Sequence, residues 1–165
     1  MEMEISLRPL QINDFDDVLK WSKDDGFCMA NGWEKNRDRD ELYQWWQKCV
    51  NNKAHNFIRL GIEFEGKLIG YADLACIKGN SAEIGIAIGN RSLWGNGIGS
   101  ASLLRVIDYA ANTLGIDIFT AETHEGNVRS RKMLEKTGFI ERSKIGNEIY
   151  MGQANQLIQY ELIRY

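Results

Sequence analysis

The spacing of apolar residues along the chain predicts seven strands and four helices. Alternation of apolar and polar residues is typical of a half-buried strand, and apolar residues at steps of three and four are typical of an amphipathic helix. These patterns predict strands over roughly residues 5–8, 57–65, 67–76, 83–88, 117–123, 140–150 and 156–164, and helices over roughly 14–21, 40–51, 101–114 and 127–136. Residues 24–39 show neither period. The order β-α-α-β-β-β-α-β-α-β-β indicates an α+β fold, an α/β-type mixed sheet with helices on both faces.

A glycine-rich loop joins the fourth predicted strand to the longest helix. The strand over Glu83–Ile88 is followed by Gly95, Gly97 and Gly99, and an apolar helical run begins at Ala101. In a strand, glycine loop and helix of this kind, backbone N–H groups and a helix N-terminus converge on an anion, usually a phosphate. Glycines suit such a loop because a side chain would hold the phosphate away from the backbone.

Composition narrows the class of protein. The 165 residues are 44% hydrophobic, which suits a single domain over residues 1–165 with one sizeable core. A net charge of −3 gives no general electrostatic reason to bind nucleic acid or a membrane surface. The acidic first residues lack the basic start of a signal peptide. Cys28, Cys49 and Cys76 are odd in number and far apart, so we expect neither disulfides nor a metal site, and a cytoplasmic location.

Two common phosphate loops do not fit these letters. A dinucleotide fingerprint requires G-x-G-x-x-G, but its last position falls on Ser100 when counted from Gly95 and on Ser102 when counted from Gly97. A Walker loop requires a lysine and then a hydroxyl residue directly after its last glycine, but here Gly99 is followed by Ser100 and Ala101. What remains is a loop over residues 94–99 and a second signal one strand later, over residues 127–139.

Together these two segments resemble the GCN5-related N-acetyltransferases, which transfer an acetyl group from acetyl-CoA to an amine. The pyrophosphate loop of that family is usually written [QR]-x-x-G-x-[GA], and Trp94 stands where Gln or Arg would be. The second segment reads N-x-x-S-x-x-x-x-E-K-x-G-F from Asn127 to Phe139, which is similar to the ribosomal-protein, Rim-type branch. In element order, the resemblance extends over about residues 5–162.

The resemblance implies a mostly antiparallel sheet and acetyl-CoA as co-substrate, without a metal. Backbone groups of Ile86 and Ile88 would pair with pantetheine, the loop amides would hold the pyrophosphate, and Asn127 would bind the pantetheine or thioester end. Arg129, Arg131 and Lys132 would meet the CoA phosphates, or would form a solvated basic face. The implied cofactor-binding set is Ile86, Ala87, Ile88, Trp94, Gly95, Asn96, Gly97, Ile98, Gly99, Ser100, Asn127, Ser130 and Arg131.

The resemblance also implies candidates for each proton transfer. Glu83 and Glu148 are rival bases for the acceptor amine, and each has a structural alternative as an ion-paired or solvated charge. The end of the strand before Asn127 offers weaker candidates, Glu122 and His124. The amide of Ala87 or Ile88 would stabilise the oxyanion. Leu134 replaces the tyrosine that many members use to protonate the thiolate, which leaves Ser130 as the candidate acid, with helix capping as its structural alternative.

In this family, the first two helices and their connection form the acceptor wall. Here this segment, residues 21–49, is rich in aromatic and acidic residues, which would suit a cationic amine unless the tryptophans belong to the core. Two enzyme functions follow: acetylation of a protein or peptide N-terminus, or of a small cationic amine such as an aminoglycoside or polyamine. A CoA-binding module without turnover is the alternative from another class. The expected partners are acetyl-CoA and the amine acceptor, with a homodimer as a candidate assembly.

Overall fold

The computed structural model describes residues 4–164; Met1–Met3, which begin the acidic start, and Tyr165 lie outside this range. The strands are β1 (Ile5–Arg8), β2 (Ile58–Phe64), β3 (Lys67–Lys78), β4 (Ser81–Ile88), β5 (Ile118–His124), β6 (Ile140–Ser143), β7 (Asn147–Tyr150) and β8 (Gln153–Ile163). The helices are α1 (Phe15–Ser22), α2 (Asp25–Asn31), α3 (Arg39–Val50), α4 (Ile98–Leu114) and α5 (Val128–Lys136).

The strands lie side by side in the order β1-β2-β3-β4-β5-β8-β6, with β7 also paired to β8. Within residues 4–164, parallel pairing is confined to β4 and β5, and it covers only Ser81–Glu83 against Ile118–Thr120. Both strands continue beyond the last pair, β4 to Ile88 and β5 to His124. They therefore separate toward their carboxyl ends and leave a gap in the middle of the sheet.

Helices cover both faces of the sheet, as the sequence predicts. Alternation along β4 places Ala82 and Ile84 in the apolar cluster that includes residues of α4 and α5. Ala87 belongs instead to the cluster formed with α1, α2 and α3. Trp46 of α3 is 1% exposed and Trp21 of α1 is 5% exposed, so these two tryptophans are core residues.

Helix α2 is absent from the sequence prediction, which leaves residues 24–39 irregular. The helix has seven residues, with Asp24 as its N-cap and Gly32 in the left-handed conformation at its end. The side chain of Asp24 accepts hydrogen bonds from the amides of Gly26 and Phe27. A helix of two turns is too short to show an amphipathic period in the sequence. Only two of its residues, Phe27 and Cys28, are buried.

The predicted strand over residues 140–150 is in fact two strands, β6 and β7. Gly146, with φ of 96°, lies in the turn that separates them. The side chain of Gln159 fills the break in the ladder: it accepts the amide hydrogen of Ile145 at 2.9 Å and donates to the carbonyl of the same residue at 2.8 Å. A side chain thus substitutes for backbone pairing, which alternation in the sequence does not reveal.

An ion pair joins α2 to the start of the glycine loop. Arg91 lies 2.7 Å from the Asp24 carboxylate, and its hydrogen bond holds the pKa of Asp24 below the usual value. A carboxylate with a lowered pKa stabilises the fold above the ordinary aspartate pKa, about 3.9, and this contribution is lost as the pH falls through the folded-state pKa.

Asp24→Asn keeps the helix cap but removes the charge. We expect the urea midpoint of the wild-type protein to exceed that of Asp24→Asn near neutral pH. The difference between the two should shrink below about pH 4 as Asp24 becomes protonated. Equal differences at neutral and acidic pH would show that the ion pair does not contribute.

Candidate active site

Strand β4 presents alternate backbone groups to the gap. The amide of Gly89 donates to the carbonyl of Ile69 at 2.7 Å, and the register pairs Ala87 with Tyr71 and Ile88 with Gly70. Hydrogen-bonded and non-hydrogen-bonded pairs alternate in an antiparallel ladder, so Ala87 bonds to β3 whereas Ile86 and Ile88 point their backbone groups toward β5. Of the two amides predicted to stabilise the oxyanion, that of Ala87 is thus occupied, and that of Ile88 faces the gap.

Trp94 ties the glycine loop to the end of β4. Its indole Nε1–H donates to the carbonyl of Ile88 at 2.9 Å. Gly95 and Gly97 follow with φ of 82° and 80°, in the left-handed region where a β carbon would be strained. The loop therefore turns back sharply over the strand, and α4 begins beside the gap.

The N-terminus of α4 supplies backbone N–H groups at the gap. Gly97 caps this helix, and the amides of Ile98, Gly99 and Ser100 belong to its first turn, where they have no intrahelical acceptor. The Ile98 side chain is buried at 4% exposure, so this residue offers only its backbone. The Asn96 side chain turns back into the loop and donates to the carbonyl of Ser92 at 3.4 Å.

These elements enclose a cleft of about 290 Å³. Of the predicted cofactor-binding residues, the cleft brings together Ile86, Ile88, Trp94, Gly95, Gly97, Gly99, Ser100, Asn127 and Ser130. Four others, Ala87, Asn96, Ile98 and Arg131, do not line it. The cleft also contains residues that the sequence reasoning missed, namely Ala30 and Asn31 of α2, Leu93, Met133 and Lys136.

Helix α5 places a basic stripe along one wall. Arg129, Lys132 and Lys136 all line the cleft. Their spacing of i, i+3 and i+7 puts them on one face of the helix, and this period was the signal that would have identified Lys136. Three cations beside a helix N-terminus make the cleft suited to a ligand with several negative charges.

Arg129 is held across the mouth of the loop. Its guanidinium lies 3.6 Å from the centroid of the Trp94 ring. Burial of its guanidinium lowers the pKa of Arg129. Arg131, in contrast, donates to the Tyr160 hydroxyl and the Glu125 carbonyl on the other side of α5. An anion in the cleft would therefore offset the desolvation of Arg129 but would not meet Arg131.

We expect Arg129→Gln to weaken CoA binding about tenfold, because one charge-assisted contact contributes roughly 1.5–3 kcal/mol. Arg131→Gln removes the same charge from the same helix outside the cleft and should leave the CoA dissociation constant nearly unchanged. Titration calorimetry at two salt concentrations measures both effects. Equal losses in the two variants would indicate a general effect of net charge instead of a contact in the cleft.

Asn127 and Ser130 form the N-terminal cap of α5. The Asn127 side-chain oxygen accepts the amide hydrogen of Ser130 at 3.2 Å. This segment therefore does cap the helix, which is the structural alternative that the sequence offers for it. Both residues also line the cleft, and an amide nitrogen and a hydroxyl are groups that can donate hydrogen bonds to a ligand. Leu134, at the position where many family members have tyrosine, is 4% exposed and packs in the core.

The candidate bases lie on or beside the sheet face opposite α4. Glu83 is exposed and pairs in register with Thr120, at the closed end of the gap. Glu148 of β7 and His124 of β5, which the sequence offers as separate candidates, lie together: Glu148 Oε1 is 3.3 Å from His124 Nε2. Glu122 is exposed on β5, and Gln159 donates to its carboxylate at 2.8 Å.

Aromatic residues in and beside the segment that was expected to form the acceptor wall already contact a cation of the chain itself. The Arg59 guanidinium lies over the rings of Tyr71 at 4.5 Å and Trp45 at 5.6 Å and forms a two-pronged ion pair with Asp73. Burial raises the pKa of Tyr71 to about 12. These aromatic residues therefore form a packed internal cluster. Of the two interpretations of the aromatic segment, a site for a cationic amine or a part of the core, the structure favours the core.

No helix within residues 4–164 combines the length and the apolar character that a membrane span requires. In the same range, no group of three or more His, Cys, Asp or Glu side chains is arranged to hold a metal ion.

Residues 4–140 match the acetyltransferase (GNAT) domain family, and the chain belongs to that family. Two curated relatives were found. One is an uncharacterized protein of Methanocaldococcus jannaschii, 28% identical over 148 residues, which cover 89% of this chain and 30% of that protein. The other is the putative ribosomal N-acetyltransferase YdaF of Bacillus subtilis, 30% identical over 112 residues, which cover 66% of this chain and 61% of that protein. The chain thus spans less than two thirds of either relative.

Solved structures share the fold across nearly the whole chain. A spermidine N-acetyltransferase from Vibrio cholerae in complex with CoA and spermine superposes with a TM-score of 0.83 at 21% identity, covering 97% of this chain and 95% of that one. RimL, a ribosomal L7/L12 alpha-N-protein acetyltransferase in complex with CoA, gives 0.85 at 16% identity, covering 99% and 96%. The predicted family and mixed-sheet fold are confirmed, and residues 4–164 form five α-helices and eight strands where the sequence predicted four and seven.

Proposed function

We propose that this protein transfers an acetyl group from acetyl-CoA to a primary amine by direct attack. This function is supported by one observation: three features that suit CoA meet in the same cleft. These are the gap beside Ile86 and Ile88, the N-terminus of α4, and the basic stripe of α5. A narrow arm can lie in the gap as an added strand, while the helix terminus and the cations bind the phosphates.

Within that function, each cleft residue has a proposed role. Ile86 and the N–H of Ile88 pair with pantetheine, and the latter amide also faces the oxyanion as it forms. The loop and the first turn of α4 hold the pyrophosphate, and Arg129, Lys132 and Lys136 supply positive charge. Asn127 binds the thioester end, and Ser130 protonates the departing thiolate. The acceptor amine also needs a base, for which the sequence offers the rival candidates Glu83 and Glu148 and, less directly, Glu122 and His124.

The first candidate acceptor is the N-terminal amine of a protein or peptide. Its support is the second motif, from Asn127 to Phe139, together with the similarity to the putative ribosomal N-acetyltransferase YdaF. The occupied aromatic cluster around Arg59 also favours it, because a small cation would find these rings already engaged.

A small cationic amine is the second candidate. Glu83, Glu122 and Glu148 are all exposed, and this acidity would attract a polyamine. The V. cholerae spermidine N-acetyltransferase has the same fold. Both candidate functions use the same CoA cleft and the same acetyl transfer. They differ only in the amine that approaches the face of the sheet.

An acceptor panel tests the proposal. Calorimetry with CoA should show binding, and incubation with acetyl-CoA should release thiol and add one acetyl group, detected by mass, to a peptide with a free N-terminus or to spermidine. CoA binding without thiol release on any amine would identify a binding module without turnover. Failure to bind CoA at all would reject the function altogether.

A further inference from the structure

His124 is held in one orientation by two side chains from β7. Its Nε2 lies 3.3 Å from Glu148 Oε1, although the two residues are 24 positions apart in the chain. The Tyr150 ring stacks on the imidazole, with centroids 4.6 Å apart and planes inclined by 12°. The His124 side chain retains 19% exposure, so the ring is restrained but still open to solvent.

The contact with Glu148 selects one tautomer of the neutral ring. A carboxylate only accepts hydrogen bonds, so Nε2 carries the hydrogen and Nδ1 carries the free lone pair. A neutral imidazole oriented by a carboxylate is the arrangement that general-base catalysis requires near neutral pH.

This histidine adjoins the CoA cleft. The His124 carbonyl accepts the amide hydrogen of Asn127, a residue of the cleft wall, at 2.9 Å. His124 also lies four residues beyond Thr120, which is the partner of Glu83 and the last residue of β5 that pairs with β4. At about 3.3 Å per residue, this separation along the strand is roughly 13 Å, so His124 stands at the open end of the gap.

We propose that His124 is the general base that prepares the acceptor amine, with Glu148 as its positioning residue; this assignment rests on the proposed acetyltransferase function. Nδ1 takes a proton from the ammonium form of the acceptor, and the freed nitrogen lone pair attacks the thioester carbonyl carbon. Collapse of the tetrahedral intermediate breaks the C–S bond, whose electron pair leaves with sulfur. The thiolate gains a proton, and the nitrogen loses its second one. The products are the amide, CoA and one released proton.

The charged and titratable surroundings of His124 come from four parts of the chain. They are Glu122 and Glu125 beside it in sequence, Glu148 and Tyr150 on β7, Arg129 on α5, and Lys144, which lies 3.8 Å from Glu125. Its partner in register on β8 is the apolar Leu157. Acidic neighbours outnumber basic ones, which favours an approaching ammonium group over an anion.

Kinetics of matched variants test the assignment. With acetyl-CoA and either spermidine or a peptide with a free N-terminus, His124→Gln should lower kcat about 100-fold, the lower end of general-base effects, without changing the CoA dissociation constant. Its rate should also lose the acid limb of the pH profile. Glu148→Gln should lower kcat by a smaller factor, because the imidazole remains but is less well oriented. The chain has one other histidine, His55, which is exposed in the loop before β2, so His55→Gln serves as the matched control and should turn over at the wild-type rate.

Ring nitrogen NMR gives a readout independent of turnover. In His55→Gln, the remaining histidine signals belong to His124, and long-range proton–nitrogen spectra should show the Nε2–H tautomer. Adding Glu148→Gln should mix the tautomers. Three results would overturn the assignment of His124 as the base but leave the proposed acetyltransferase function intact. They are full turnover by His124→Gln, loss of the acid limb of the pH profile in Glu83→Gln instead, and a predominant Nδ1–H tautomer. Absence of thiol release by the wild-type protein with both acceptors would overturn the proposed function and the assignment together.

Discussion

Gly70→Ala is expected to destabilise the protein by about 3 kcal/mol and to weaken CoA binding about tenfold. Gly70 pairs with Ile88, and a β carbon on Gly70 would overlap the Ala87 carbonyl oxygen and lie 3.0 Å from the Ile88 α carbon. These obstacles are backbone atoms, so relief requires the strands to move apart. Such movement displaces the end of β4, where the Ile88 carbonyl accepts the Trp94 indole. Thermal unfolding should fall by on the order of 10 °C.

Gly85→Ala provides the control on the neighbouring strand. An added β carbon there meets no atom within 4 Å, and the residue does not require a positive φ. We therefore expect this variant to be as stable as the wild-type protein, or slightly more stable, and to bind CoA normally. Equal losses for the two variants would show that β-strand glycines matter here for a reason other than the contact between β3 and β4.

Arg59→Met should destabilise the fold by about 3 kcal/mol, the cost of leaving a largely buried charge without its partner. Arg59 binds Asp73 through two hydrogen bonds of 2.6 and 2.8 Å, and the two side chains are 16% and 24% exposed. Methionine keeps most of the side-chain volume, so the loss of stability comes from breaking the ion pair more than from opening a cavity. The midpoint of urea unfolding, at unchanged slope, measures it.

Two comparisons separate the ion pair from other effects. Adding Asp73→Leu to Arg59→Met removes the unpaired carboxylate and should recover more than half of the lost stability. Arg142→Met breaks the more exposed pair with Glu161, at 3.3 Å, and should cost less than about 1 kcal/mol. A double variant no more stable than Arg59→Met would mean that the arginine acts through its contacts with the aromatic rings.

Local patterns in the sequence predicted the elements that matter most for CoA. Strand β4, the turn at Gly95 and Gly97, and the long apolar helix α4 each follow from neighbours a few residues apart, where period and backbone freedom act. The same holds for the cap at Asn127. These parts lie within residues 82–139, and the structure brings them to one cleft.

Short elements, and features that depend on distant residues, escaped the sequence prediction. Helix α2 is too short to show a period, and β7 is separated from β6 by a turn in which Gln159 replaces backbone pairing. Arg131 and Lys132 are neighbours in sequence, yet the helical rotation places Lys132 in the cleft and directs Arg131 toward Tyr160.

By itself, the sequence determined the strand, glycine loop and helix, the second motif from Asn127 to Phe139, and thereby the family. The tertiary structure decided which backbone groups of β4 face the gap, because the register with β3 occupies Ala87 and leaves Ile86 and Ile88. It also decided that Arg59 fills the aromatic cluster and that His124 meets Glu148. Local periodicity records which face of an element is buried, whereas pairing across the sheet depends on register and packing that no short stretch contains.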